Sequence, residues 1–258
     1  MNQYDYYDNE NNADISQEYA VNSYVAKVFG WMFLGLIITA ATTGAILYGM
    51  HVSDAVLEFV AATMNMFFVI FIVQLILVGM LSARVHKMNP ATAKLLYVIY
   101  AMSNGLTVGM IVTIYAMYIV GIATVAMAFG ITAVSFGIMA IYGLATKTDL
   151  TRFSSLFSMA LVGIIIASVA NWFLGNSLLD FLVCVIGLFI FLGLVAVDTQ
   201  KIKHHFAQVY VGSYNEDGTV NEGQLALASN LAIVGALMLY LDFINMLLFI
   251  LRLLGRKR

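Results

Sequence analysis

The chain has 258 residues, is 62% hydrophobic and only 10% charged, and carries a net charge of -2 with a mean hydropathy of +0.92. A soluble domain carries roughly 25% charged residues. This chain has too little polar surface to wrap a water-facing shell, so it reads as an all-α polytopic membrane protein whose first partner is the lipid bilayer.

The first twenty-odd residues, MNQYDYYDNENNADISQEYA, are acidic and rich in Asn and Tyr. They lack the basic start and apolar centre of a signal peptide. Residues 1–24 are expected to form a polar, disordered cytoplasmic tail ahead of a transmembrane domain over 25–258. Charge-free windows then give the spans. Val28 to Met50 is the first and Phe59 to Ala83 the second. Leu95 to Thr146 is 52 residues without a charge, too long for one crossing and about right for two. The break between them is placed near Tyr115 to Tyr118, where aromatic residues suit an interface. Phe153 to Leu174 is the fifth span and Phe181 to Val197 the sixth. Gly223 to Leu251, interrupted only by Asp242, is the seventh. The windows are long and non-alternating, unlike barrel strands. A long loop is expected over 199–222.

Seven spans put the termini on opposite sides. Lys27, Arg84, Lys87, Lys94, Lys147, Arg152, Lys201 and Lys203 collect on the N-terminal side, and only Arg252, Arg256, Lys257 and Arg258 on the other. The positive-inside rule favours a cytoplasmic N-terminus. The basic C-terminal GRKR keeps a competing topology open, in which the last helix re-enters. Small residues recur at Gly105 and Gly109, and along Ala126, Gly130, Ala133 and Gly137 in the fourth span. Tight helix packing is the plain reading of both sets, and a conduit lined by backbone the other.

Two carboxylates stand in or at the edge of the hydrocarbon. Asp242 lies in the middle of LMLYLDFINMLLFI, and Asp198 closes the sixth span in GLVAVDTQKIK. An intramembrane carboxylate costs on the order of 3 kcal/mol by insertion scales and usually faces the bundle interior or a wet cavity. Ala228, Ala232, Gly235, Asp242 and Asn245 follow a 3–4 spacing, so one small and polar stripe carries Asp242 inward. The structural alternative is a carboxylate bonded to neighbouring polar side chains. For Asp198 it is a wet helix end with Lys201 three residues on. Arg84 follows the second span, either as an ordinary positive-inside residue or as a counter-charge for a carboxylate at that face. Asn65, Gln74, Asn104 and Asn171 are uncharged polar groups within spans, more often interhelical glue than ligands. Asn104 and Asn245 are the ones that could line a pore.

Enzyme chemistry finds little support. The four histidines lack metal-ligand spacing, and no GxSxG or HExxH occurs. Two aspartates on consecutive helices invite an intramembrane aspartyl protease, but GxGD is absent and the only proline is Pro90, so its PAL motif is impossible. Cys184 is the only cysteine, so no intrachain disulfide forms. No resident cofactor and no nucleic-acid partner are expected, and the oligomeric state stays open.

From about Val21 to Arg258 the sequence resembles the bacterial branch of the Bax inhibitor-1 family, the transmembrane Bax inhibitor motif proteins. The pieces that carry the resemblance are SARVHKMNPATA, NGLTVGMI and TKTDLTRFSSLFSMALVGIIIASVANWFL, with GLVAVDTQKIK and LYLDFINMLLFILRLLGRKR the most specific. The resemblance implies seven helices with the last at the centre and a pH-sensitive calcium leak through the bacterial plasma membrane. It implies that Asp198 and Asp242 form the pH sensor and gate, that Arg84 pairs with them in the closed state, and that the two aspartates are candidate calcium ligands. Two carboxylates sharing a dry site cannot both ionise cheaply, so a shared proton would report ambient pH. The alternatives are a regulator that binds a protease or another membrane protein, and a proton-coupled cation exchanger. One geometric demand follows. Asp242 is about 17 residues beyond Leu225, roughly 25 Å along its helix. Contact with Asp198 therefore requires the stretch from Leu225 to about Ile233 to leave the membrane or to pack under the preceding loop.

Overall fold

The computed structural model describes residues 3–214 and 219–256, with side chains from residue 17 onward except at 51 and 64. Lys257 and Arg258, half of the basic C-terminal cluster, lie outside the described residues, as do the side chains of most of the acidic tail.

Nine α-helices account for nearly all of the described residues. They are α1 (Gln3–Val52), α2 (Asp54–Asn65), α3 (Phe67–Ala83), α4 (Pro90–Ile114), α5 (Ile122–Ala145), α6 (Ser154–Leu174), α7 (Ser177–Lys201), α8 (Ala207–Val211) and α9 (Glu222–Gly255). Six of these segments are long and apolar enough to cross a bilayer, and α2 with α3 makes a seventh if that bent pair counts as one span. The outward faces are apolar: Phe68, Ile72, Val134, Ile138, Val162 and Ile166 are all exposed, as a surface solvated by lipid tails requires.

Local chemistry explains the boundaries. Asn89 caps α4 by accepting from the Ala91 N–H, with Pro90 at the first helical position. Asn176 caps α7 and Asn221 caps α9 in the same way. Gly175, at φ 60°, closes α6 in the left-handed conformation that glycine adopts without strain. The break expected near Tyr115 to Tyr118 is a π-helical turn, Tyr115–Ile119, followed by Gly121 at φ 82°.

Two expectations are corrected. The second span is not one straight helix: Asp54–Thr63 and Phe67–Ala83 meet at 72°. Thr63 turns its hydroxyl back onto the Phe59 carbonyl at 2.8 Å beside the break, a bond that loosens the helical ladder locally. The end of the tail expected over 1–24 is already part of the bundle. Helical backbone runs from Gln3, and Tyr24 is buried with its hydroxyl donating to the Ala228 carbonyl at 3.0 Å. The loop over 199–222 is largely helix. α7 continues through a π-helical turn, Ile202–Phe206, into α8, and the chain leaves helix only between Val211 and Glu222. Charge marked the end of the apolar window there, but Ile202 and Ala207 are fully buried and hold the extension against the bundle.

α9 is the axis. In its apolar window 72% of residues are buried, against 6% in that of α6. It packs against α1, α3, α4, α5, α7 and α8, while α6 lies outside and packs mainly on α7. Gly105 and Gly109 allow the closest approach of α4 to α1: a Cβ at Gly105 would stand 2.7 Å from the Thr39 carbonyl oxygen, and one at Gly109 2.1 Å from the Thr43 hydroxyl. The stripe through Ala126, Gly130, Ala133 and Gly137 packs nothing. Both glycines face open space, and α5 turns Ala128, Thr132, Phe136, Ala140 and Gly143 inward instead.

Candidate functional site

The site is built where α7 and α9 run antiparallel. Gly187 admits the Phe249 ring, and Gly235 admits the Ile202 side chain. On α9, Gly235, Asp242 and Phe249 recur every seven residues, so Asp242 lies on the face that meets α7. On α7, Gly187, Asp198 and Ile202 share the face that meets α9 by the same periodicity. The register set by the two glycine contacts puts Asp198 level with Met238 and Leu239. The two carboxylates are therefore about one helical turn apart along the axis, roughly 5 Å.

Both are deeply buried. Asp198 is 8% exposed and Asp242 4% exposed. Asp198 is not at a wet helix end, because every residue from Leu194 to Gln200 is buried and the helical chain continues beyond Lys201. The Asp242 Oδ2 atom is fully buried and has no hydrogen-bond partner among the described residues. Asp242 lies within electrostatic reach of Asp198, and Asp198 within reach of Lys201 on its own helix. Neither aspartate makes an ion pair among the described residues, where the two pairs are Asp149–Arg152 and Asp180–Arg252.

The stretch from Leu225 to Ile233 meets the geometric demand. Leu231 and Val234 pack with Val85 and with Phe206 and Val209 of the α7 extension, and Asn230 donates to the carbonyls of Val85 at 2.9 Å and Met88 at 2.7 Å. α7 continues as helix past its apolar window at this end while α9 is helical along the whole of its own, and this register sets Asp198 and Asp242 about one turn apart along the axis.

The other candidates are placed differently. Arg84 caps α3, is exposed, and forms no ion pair among the described residues. Asn245 donates to the Leu241 carbonyl of its own helix at 2.8 Å and lines a cavity of about 270 Å³ with Tyr115, Phe249 and Arg252. Asn104 is buried beside Tyr100 and Tyr240, and its amide nitrogen has no partner among the described residues. Gln74 is interhelical glue, donating to Ser103 at 2.9 Å and Thr107 at 3.0 Å. Among the described residues no group of three or more His, Cys, Asp or Glu could hold a metal. Calcium takes six to eight oxygens, so a calcium ion at the two aspartates would need carbonyls and waters to complete its shell.

Sequence reasoning missed three features. Gln200, 3% exposed, clasps the α5–α6 turn: it accepts from the Leu150 N–H at 2.6 Å and donates to the Thr148 carbonyl at 2.8 Å. Lys203 adds a bond to the Leu144 carbonyl at 2.8 Å. At the opposite end of the bundle Arg252 pairs with Asp180, and Arg256 donates to the Ser177 carbonyl, at a cavity of about 620 Å³. The third is the Asn230 clamp.

Residues 21–258 match the model of the family described as inhibitor of apoptosis-promoting Bax1. The chain is 37% identical to the inner membrane protein YbhL of Escherichia coli strain K12 over 92% of its own length and 93% of that protein. It is 35% identical to an uncharacterized protein of Borreliella burgdorferi, covering 92% and 93% of the two chains. An uncharacterized membrane protein of Streptococcus pyogenes serotype M3 is 32% identical over 92% and 94%.

Proposed function

The chain belongs to the Bax inhibitor-1 family, and we propose that it is a pH-sensitive calcium leak pathway of the bacterial plasma membrane, with its N-terminus in the cytoplasm. The observation that carries this reading is the placement of Asp198 and Asp242 on facing sides of α7 and α9, both buried and neither in an ion pair among the described residues. Two carboxylates in a dry interface do not both ionise cheaply, and their titration becomes a property of the pair. In this reading the packed arrangement is the one that holds a proton on the pair. As pH rises and that proton leaves, excess negative charge stands on the bundle axis. The charge loosens the interface, draws in a hard cation that prefers oxygen ligands, or recruits Arg84 from its exposed position. Arg84 acts in this scheme as the counter-charge of one conformational state, and a contact made in one state alone shifts the balance between states.

The test is calcium release from liposomes holding the purified protein and an entrapped indicator, between about pH 5 and 8. The wild type passes calcium at a rate that changes with pH. Asn mimics protonated Asp in shape and charge, so Asp198→Asn and Asp242→Asn each hold the rate at the low-pH level of the wild type throughout. The double variant adds little, because the two groups act as one unit. Variants that keep the wild-type pH dependence, or single effects that sum, overturn the shared-proton sensor. A release rate no greater than that of empty liposomes points instead to a regulatory partner-binding role. Release that proceeds only while a proton gradient is maintained points to an exchanger.

A further inference from the structure

Asn230 sits in the first third of α9 and is 2% exposed. Its Nδ2 group donates to two carbonyls of one short turn, Val85 at 2.9 Å and Met88 at 2.7 Å. Its Oδ1 is buried and has no partner among the described residues. The amide orientation is fixed by chemistry, since the reversed amide would aim its oxygen at two carbonyl oxygens. A buried amide with an unpaired oxygen is a costly way to fill space. It is understandable if the two donated bonds are what the position requires.

The turn it holds begins at Arg84. The Arg84 N–H closes α3 on the Met80 carbonyl, and the Lys87 N–H returns to the Arg84 carbonyl at 3.0 Å. Asn89 and Pro90 then start α4. Val85, beside Arg84, packs on Leu231 and Val234, with Met238 against the same cluster. Leu231, Val234, Met238 and Asp242 fall at i, i+3, i+7 and i+11, which is one face of α9 followed for three turns. The turn is thus laid on the face that carries Asp242, and Met238 is the level at which Asp198 stands. His86 and Lys87 are the other titratable groups of the turn, both exposed, and Lys201 is the near cation on α7.

We infer that Asn230 is a positioning residue: it clamps the Arg84 turn to α9, so that the place of the Arg84 guanidinium is tied to the helix that bears Asp242. This inference rests on the proposed calcium pathway for its consequence, but not for its geometry. Without the clamp the turn keeps its helical caps and its Val85 contact yet gains freedom to slide along α9. Arg84 then engages the aspartate pair less often.

Two measurements test it on the full-length protein. In a Cys184→Ala background, spin labels at His86→Cys and Gln224→Cys report the distance from the turn to the start of α9. The distribution is narrow with Asn230 present and broadens in Asn230→Leu, which keeps the volume and removes the donors. Asn230→Ala serves as a second variant if the leucine form does not remain monodisperse in detergent. In liposomes, Asn230→Leu changes calcium release at neutral pH in the same direction as Arg84→Ala. The change is roughly threefold to tenfold, the worth of about one net buried hydrogen bond. The double variant goes no further than the larger single effect. A distribution as narrow as that of the parent overturns the clamp, and effects of the two substitutions that sum overturn its action through Arg84. If no protein form releases calcium, the pathway reading falls while the label distances still decide whether Asn230 holds the turn.

Discussion

Gly143→Ala tests the interface that holds Asp198 in place. A Cβ at Gly143 would stand 2.4 Å from the Ala196 carbonyl oxygen and 3.0 Å from the Ala196 Cα, both backbone atoms of α7. Ordinary contact begins at 3.4 Å, so α5 and α7 must separate by roughly 1 Å, and no side-chain rotation relieves the clash. Overpacking of this kind costs about 1–3 kcal/mol. The better helix propensity of alanine returns roughly 0.5–1 kcal/mol. The net is a loss of about 1–2 kcal/mol, which lowers the melting temperature by roughly 3–6 °C for a chain of this size. Gly137→Ala, on the same helix, meets nothing within 4 Å. It keeps only the propensity gain and raises the melting temperature by about 2 °C. Thermal unfolding of both variants in one detergent, followed by far-UV circular dichroism, measures the pair side by side. A Gly143→Ala form as stable as the parent would refute the close α5–α7 packing, and with it the dry setting of Asp198 two residues further on.

Gln200→Ala leaves the partly buried Leu150 N–H and the Thr148 carbonyl without their partner. It is expected to cost about 1–2 kcal/mol and to speed amide hydrogen exchange between Thr146 and Leu150 while leaving the α6–α7 turn unchanged. Asp149 accepts from the Thr151 hydroxyl at 2.5 Å and from the Thr151 N–H at 3.0 Å. The Thr151 hydroxyl foremost, with the backbone N–H and Arg152, holds its carboxyl below the ordinary value. A lowered carboxyl favours this turn at pH above the unfolded value of about 3.9, and the benefit disappears as pH falls through the lower folded value. NMR titration of the Asp149 carboxyl carbon reads that directly, and Thr151→Ala moves the midpoint up towards the ordinary range. For topology, single cysteines at His205 and Asn176 in a Cys184→Ala background are expected to label from opposite sides of the membrane, with His205 cytoplasmic. Labelling from one side would overturn the orientation.

How much of this was legible in the sequence follows from what each residue has to offer. Charge-free windows located the spans because lipid excludes charge along a whole helix, and Asp242 stood out because hydrocarbon makes a lone carboxylate expensive. The central place of α9 was implied by the family resemblance, and its small and polar stripe is consistent with it. The same signal failed where helices leave the apolar zone. Lys201, Lys203 and the paired histidines read as loop, yet α7 continues through them, because Ile202 and Ala207 find buried places on α1 and α9. The α5 stripe through Gly130 and Gly137 misled in the opposite way. Small residues permit close packing without requiring it, and only the neighbours decide which face turns inward.

The missed features share one cause, and it bears on function. Gln200, Asn230 and the Asp180–Arg252 pair sit near helix ends, where polar residues are so common that none draws notice alone. Register makes them visible. Antiparallel helices that bring Asp198 to within one turn of Asp242 must, by the same alignment, bring Asp180 near Arg252 at their far ends. The α7–α9 pair thus carries an ion pair at one end and two buried carboxylates within. The outer pair is 38% and 34% exposed at its side chains, where water and ions moderate the attraction to at most about 1 kcal/mol. The inner pair is buried, where a second negative charge is far harder to accommodate. In the proposed scheme, adding or removing one proton inside changes the α7–α9 contact by more than the exposed outer pair contributes. If the proposed pathway holds, Gln200 beside Asp198 and Asn230 on the Arg84 turn are the places where substitution alters its pH response without touching either carboxylate.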